Sequence, residues 1–308
     1  MDFDSALHEI ATDHVSGATA LAVKGLAVLQ AALRQDASSR EAWLDAVWAV
    51  AVRLMAAQPS MAPFINMVNR ALLAADEAAG LSEARESALS EVRALAAEWR
   101  EAVGRVVERA LGVIPARATI LTHSNSLLVR QSLMRAYAEG RRIRVTCTES
   151  RPMREGVALA RTLAQAGIKV TLIADAAAHA EVAERAELVV VGADSVSSVG
   201  LVNKAGTLGI ALTARRFGKP IYALCGADKV VPAGCEHLVV IQDREPKELL
   251  AEPIEGVRVR NVQFDVTPVD CLDGLVTERG PLNAQDVLAY VESMPVHERI
   301  TGASVSPT

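Results

Sequence analysis

Along the first 110 or so positions, apolar residues fall at helical spacing with almost no strand-like alternation. Leu21, Val23, Leu26, Leu29 and Leu33 recur every two to four residues, as the stripe of a core-facing helix does. A second helix is predicted from Ser38 or Ser39 through Ala57, with Ser39, Glu41 and Asp45 suiting its amino end. Gln58-Pro59-Ser60 breaks it, and a third helix follows from about Ala62 to Ala79, ended by Gly80. Leu81 to Leu111 forms a long fourth segment, closed by Gly112 and Pro115. The pattern predicts a helical N-terminal domain over residues 1–114.

Past Pro115 the rhythm changes to short apolar runs separated by amphipathic helices. The strand candidates are Thr119–Thr122, Ile143–Thr148, Lys169–Ile173, Leu188–Val191, Ile221–Leu224, Leu238–Ile241 and Val257–Val262. Continuous apolar strands alternating with helices are the mark of βαβ units whose sheet is covered on both faces. The second domain, residues 115–302, is therefore expected to be α/β: a Rossmann-like, doubly wound, mainly parallel sheet. Residues 303–308 are small and polar and are expected to be a disordered tail.

Composition narrows the function. A chain of 308 residues suits two domains, and 51% hydrophobic with 22% charged residues excludes wholesale disorder. With 37 acidic against 32 basic residues, the net charge of −5 gives no reason to expect nucleic acid. Cys147, Cys225, Cys235 and Cys271 lack C-x-x-C spacing, and the six histidines form no H-E-x-x-H. A disulfide framework and a metal site are not expected. The acidic amino end, Met1-Asp2-Phe3-Asp4, lacks a signal-peptide pattern, and Arg53 cuts the most apolar helical run short of a membrane span. The expectation is a reduced, cytoplasmic protein without a membrane segment. There is no G-x-G-x-x-G and no G-x-x-x-x-G-K-[ST], so neither a dinucleotide cofactor nor a P-loop hydrolase is expected; no cofactor is assigned.

In an open parallel sheet, ligands bind beyond the carboxyl ends of the strands. Those ends here are Thr122-His123-Ser124-Asn125-Ser126, Thr148-Glu149-Ser150-Arg151-Pro152, Asp175, Gly192-Ala193-Asp194-Ser195 and Cys225-Gly226-Ala227-Asp228-Lys229. Any one could be a helix cap or turn, but five together with Arg151 and Lys229 favour a polar ligand. Ser124, Asn125 and Ser126 lie where a helix begins, so free amides can hold a phosphate. Arg151 offers a guanidinium fork, Pro152 is placed to open the next helix, and Asn203-Lys204 to begin another. Asp194 leaves a buried strand through Gly192 and suits sugar hydroxyls as acceptor or base, or else caps a turn. His123 fits a packed structural role better than that of a base. The cysteines read as core.

Six motifs occur in order: ILTHSNS from Ile120, VTCTESRPMREG from Val145, VGAD from Val191, VNKAGT from Val202, FDVTP from Phe264 and TERG from Thr277. This succession resembles the family of translation initiation factor 2B alpha, beta and delta subunits, which also contains ribose-1,5-bisphosphate and methylthioribose-1-phosphate isomerases. A fainter likeness reaches Val15-Ser16-Gly17-Ala18 and Gln58-Pro59-Ser60. The resemblance implies a ligand cleft between the two domains and a homodimer through the C-terminal domain, with higher oligomers open. It brings Gly17, Gln58, Ser124, Asn125, Ser126, Arg151, Asp194, Asn203, Lys204 and Lys229 forward as candidate ligand-binding residues.

Two departures matter. The isomerases place a cysteine after the Thr-His pair, working with the aspartate that matches Asp194, and here that position is Ser124. They also carry arginines where this chain has Gln58 and Ser16. A serine hydroxyl is a much weaker acid than a thiol. The leading expectation is an initiation factor 2B alpha-like regulatory protein that binds a sugar phosphate or nucleoside monophosphate. The alternative is an aldose–ketose isomerase with Asp194 as general base and Ser124 as hydrogen-bond donor. A scaffold with a vestigial site is a third possibility.

Overall fold

The structure, a computed structural model, describes residues 1–13 and 17–303. Val15, Ser16 and the tail after Ala303 therefore lie outside the described residues. The chain packs as two compact units: Met1–Glu101 with Asp228–Val240 and Tyr290–Thr308, and Ala102–Ala227 with Ile241–Ala289.

The first unit is helical: α1 (Phe3–Thr12), α2 (Ala18–Leu33), α3 (Arg40–Ala57), α4 (Ala62–Asp76) and most of α5 (Leu81–Ala110). Ser39 caps α3 by accepting the Ala42 amide at 3.1 Å. Trp43 is fully buried, its indole N–H donating to Leu33 O at 3.1 Å. Leu21, Leu26, Leu29 and Leu33 face this core, but Val23 is 58% exposed. Two residues advance a helix by about 200°, so Val23 falls on the side away from Leu21. Helix α4 stops at Asp76, short of the expected Ala79, because Ala78 N turns back to Ala75 O ahead of Gly80.

The second unit holds a seven-stranded sheet with the order β12-β11-β7-β4-β1-β2-β3. Its strands and the elements between them are β1 (Arg117–Thr122), α6 (Leu127–Ala138), β2 (Arg142–Thr148), α7 (Glu155–Gln165), β3 (Lys169–Ile173), α8 (Ala178–Glu184), β4 (Leu188–Val191), β5 (Ser195–Val196), β6 (Leu201–Lys204), α9 (Thr207–Arg216) and β7 (Ile221–Leu224). The chain continues through β8 (Asp243–Arg244), β9 (Asn261–Val262), β10 (Phe264–Thr267), β11 (Gly274–Thr277) and β12 (Gly280–Leu282). All pairings in the large sheet are parallel except β11 with β12. Strands β10, β6 and β5 form a separate antiparallel sheet. Ile120, Val145, Cys147 and Val190 of the large sheet share one core with Leu133 of α6 and Leu163 of α7. Burial pushes the Cys147 thiol up to about 12, which fits an inert core residue.

Two strand expectations fail. Leu238–Ile241 forms no strand: Leu238 ends a short helical turn, joins the core of the helical unit, and Val240 N reaches Pro59 O. Its apolar run is buried by helices, which an apolar pattern alone does not distinguish from a strand. Of Val257–Val262 only Asn261–Val262 pairs, with β8, and Val257 is exposed.

Candidate functional site

Three loops at the carboxyl ends of β1, β2 and β3 are tied together by backbone geometry. Ser124, Ser150 and Arg154 all adopt positive φ, at 70°, 62° and 57°. The Asp175 carboxylate accepts the Ser150 and Arg151 amides, both at 2.7 Å. Gly156 is required here, because a Cβ would lie 1.9 Å from Thr148 O. Pro152 does not open α7: it sits in a turn after a cis bond from Arg151, and the helix begins at Glu155.

His123 is buried between Thr148 Oγ1, 2.6 Å from Nδ1, and Ala205 O, 2.9 Å from Nε2. A carbonyl only accepts, so Nε2 carries the proton and Nδ1 accepts from Thr148. The donors then run one way: Ser124 N–H to Ser150 Oγ, Ser150 to Thr148, Thr148 to His123, and His123 to Ala205. Burial lowers the His123 pKa below the ordinary imidazole value, outweighing the Ala205 hydrogen bond and the Asp175 charge that raise it. His123 is a neutral staple for these loops.

The left-handed backbone at Ser124 accompanies a hydroxyl that donates to Glu155 Oε1 at 3.1 Å. The same oxygen lies 2.8 Å from Lys204 Nζ, and the ammonium sits 5.2 Å from the Phe264 ring centroid. Glu155 Oε2 is buried without a hydrogen-bond partner, as is Asn125 Oδ1. Ser126 caps α6, accepting the Val129 amide at 3.5 Å. Among the described residues, no acceptor takes the amides from Asn125 to Leu128. The Ser124 amide is committed to Ser150, so it is not one of the free donors expected there.

Gly192 brings β4 against this cap: a Cβ there would lie 2.7 Å from Ser126 Cβ and 3.9 Å from Asn203 Oδ1. Asp194 follows two residues later, half-buried, its amide donating to Val202 O at 2.8 Å. Asn203 and Lys204 do not begin a helix as expected. They pair in β6 against Asp265 and Phe264 of β10, and α9 starts only after Gly206, whose φ is 112°. Asn203 Nδ2 donates to Thr207 Oγ1 at 2.9 Å. Asp265 caps α9 through the Gly206 and Leu208 amides, and burial, the larger influence, raises its pKa against them.

The second unit thus gathers Ser124, Asn125, Ser126, Asn203 and Lys204, with Asp194 leaving the neighbouring strand. Arg151 is exposed at its rim, its guanidinium 3.4 Å from Leu249 O. Gly17, Gln58 and Lys229 belong to the helical unit. Gln58 is buried there, its side-chain amide donating to Ile10 O at 2.8 Å. Lys229 is also buried, between residues whose carbonyls accept from Asn66 Nδ2 at 2.6 and 2.8 Å. Glu155 was missed by sequence reasoning, although an acidic residue at the start of a helix just past a strand end is a legible signal.

The fold and this rim define a class, and comparison names it. The chain matches the Initiation factor 2 subunit family over residues 14–284 and belongs to that family. It is 34% identical over 247 residues to ribose 1,5-bisphosphate isomerase of Archaeoglobus fulgidus, covering 77% of this chain and 76% of the relative. It is 32% identical over 295 residues to methylthioribose-1-phosphate isomerase of Gemmatimonas aurantiaca, covering 91% and 85%. Among solved structures, translation initiation factor eIF-2B of Pyrococcus horikoshii OT3 superposes with a TM-score of 0.76 at 28% identity, covering 91% of this chain and 96% of that one. The family therefore includes both initiation-factor subunits and sugar-phosphate isomerases.

Proposed function

We propose that this chain binds a sugar phosphate or nucleoside monophosphate at the β1–α6 rim and regulates through that binding, without isomerising its ligand. The observation that carries this is the Ser124 hydroxyl, which donates to a carboxylate already paired with Lys204. By the enediol route, aldose–ketose isomerisation needs an acid/base pair about the two carbons that exchange a proton. Ser124 is too weak an acid to stand in for a thiol beside Asp194, and Glu155 is too weak a base to activate it. Binding is better supplied. The open amides from Asn125 to Leu128 suit a phosphate at the positive end of α6. Asp194 is a carboxylate acceptor for a ribose hydroxyl, and the buried, unsatisfied Glu155 Oε2 calls for a ligand donor. Arg151 is exposed and available to phosphate.

Thermal unfolding with ribose 5-phosphate and with adenosine monophosphate tests this reading. One of them is expected to raise the midpoint, a ligand at about 100 times its Kd adding about 2.7 kcal/mol. Asp194→Asn should weaken that ligand about tenfold or more. No shift with any phosphorylated sugar or nucleotide would leave only the scaffold. The second reading, an isomerase with Asp194 as base, is favoured by the names of the isomerase relatives and stands or falls on turnover. We also propose that the protein works as a homodimer through its sheet domain; sedimentation showing a monomer at micromolar concentration would remove that part.

A further inference from the structure

The sheet carries a second polar surface, at the amino ends of its strands and outside the candidate site. On β1 and β2 one face is apolar, with Ala118, Ile120, Ile143 and Val145 packed in the core shared with α6 and α7. The other face carries Arg117, Arg142, Arg144 and, on β3, Lys169, all exposed. Register puts Arg117 directly beside Arg142 and Arg144 directly beside Lys169. Among the described residues none of these four side chains makes an ion pair or hydrogen bond. Two acidic residues that bond to these strands are committed elsewhere: Glu187 accepts the Thr119 amide at 2.8 Å, and Glu181 accepts from Thr146 and Arg185.

A cation on an edge strand guards against edge pairing, but only β3 is an edge; β1 and β2 are paired on both sides. Parallel strands normally have both faces covered, and like charges directly across a sheet destabilise it. Farther along the same side Leu121 and Thr146 are buried, and Thr146 bonds Glu181 of α8. Four cations without counter-charges, in a chain of net charge −5, therefore mark only the amino-end stretch of this face as uncovered.

We propose that this face docks an acidic helix of a partner protein laid across β1, β2 and β3. Strands about 4.8 Å apart give roughly 10 Å from β1 to β3. That is the reach of carboxylates at positions i, i+4 and i+7 of a helix rising about 1.5 Å per residue. Guanidinium forks match carboxylates two bonds at a time. Single-stranded nucleic acid fits less well. No aromatic side chain stands among the four cations to stack bases.

Anisotropy with the full-length protein tests this. The probe is a labelled helical peptide of about 20 residues with Glu at those positions, beside its Gln counterpart and a single-stranded RNA of similar charge. The Glu peptide is expected to bind about tenfold tighter than either control, to weaken as salt rises, and to lose about tenfold with R142Q/R144Q. That double variant should unfold no earlier than the parent, since it relieves like-charge pairs. If it fails to fold, K169Q on the edge strand reads the same loss. Equal binding of Glu and Gln peptides, tighter binding of RNA, indifference to these variants, or self-association that R142Q/R144Q abolishes would each overturn the proposal.

Discussion

Glu155 is the residue on which the site turns. One carboxylate oxygen holds both the Ser124 hydroxyl and the Lys204 ammonium, and Lys204 is nearly buried. Removing the cation leaves a half-buried carboxylate without its charge partner. Lys204→Met is expected to cost about 3 kcal/mol in urea unfolding, and K204M/E155L clearly less, because the second change removes the stranded charge. Equal losses would show that the pair is not coupled. His123 gives a pH signature. Its folded pKa is depressed, so near and below pH 6.5 the unfolded chain takes up a proton that the folded chain refuses. The contribution is therefore fully present above about pH 6.5 and is lost as pH falls toward the lowered folded value. His123→Gln should flatten that part of the stability–pH curve, and an unchanged slope would contradict the assignment. From the chain alone, Ser124, Ser126 and Asp194 stood out because strand ends are local features. Glu155 did not: its place at a helix start was visible, but its partners come from β6 and from the loop after β1, far apart in sequence.

Among the elements, the loop from Glu149 to Gly156 sets the site. It needs two non-glycine residues at positive φ, Ser150 and Arg154, and a glycine against Thr148 O. Gly156→Ala should cost about 3 kcal/mol or more and distort the Ser124 contact; a variant within about 1 kcal/mol of the parent would show that the loop yields easily. Elements with local signals were legible. Ser39 and Ser126 cap α3 and α6 as their side chains dictate, and the five central apolar runs became parallel strands. Strand β6 was not legible, since Asn203 and Lys204 look like a helix start and are strand residues only by pairing with β10. Strands β11 and β12 were missed for a related reason: each is short, and each contains or begins with glycine. Val23 shows the opposite error, an apolar residue counted into a stripe that the helical angle excludes.

At the scale of the molecule, chain order and packing order differ. The helical unit draws on three separate segments, so Leu238, apolar and strand-like in isolation, serves a helical core. No pattern read along the chain contains that long-range choice. Family and fold, by contrast, were accessible, because six motifs in order are specific even where single residues are not. What motifs leave open is chemistry, since the Initiation factor 2 subunit family spans binding subunits and enzymes. The most direct test of the central claim is phosphorus NMR of ribose 1,5-bisphosphate incubated with the purified protein, beside Asp194→Asn. A protein with a hydroxyl at position 124, donated to Glu155, should leave the aldose unchanged over hours. Steady appearance of the ketose bisphosphate, abolished by Asp194→Asn, would contradict the account and make the chain an isomerase.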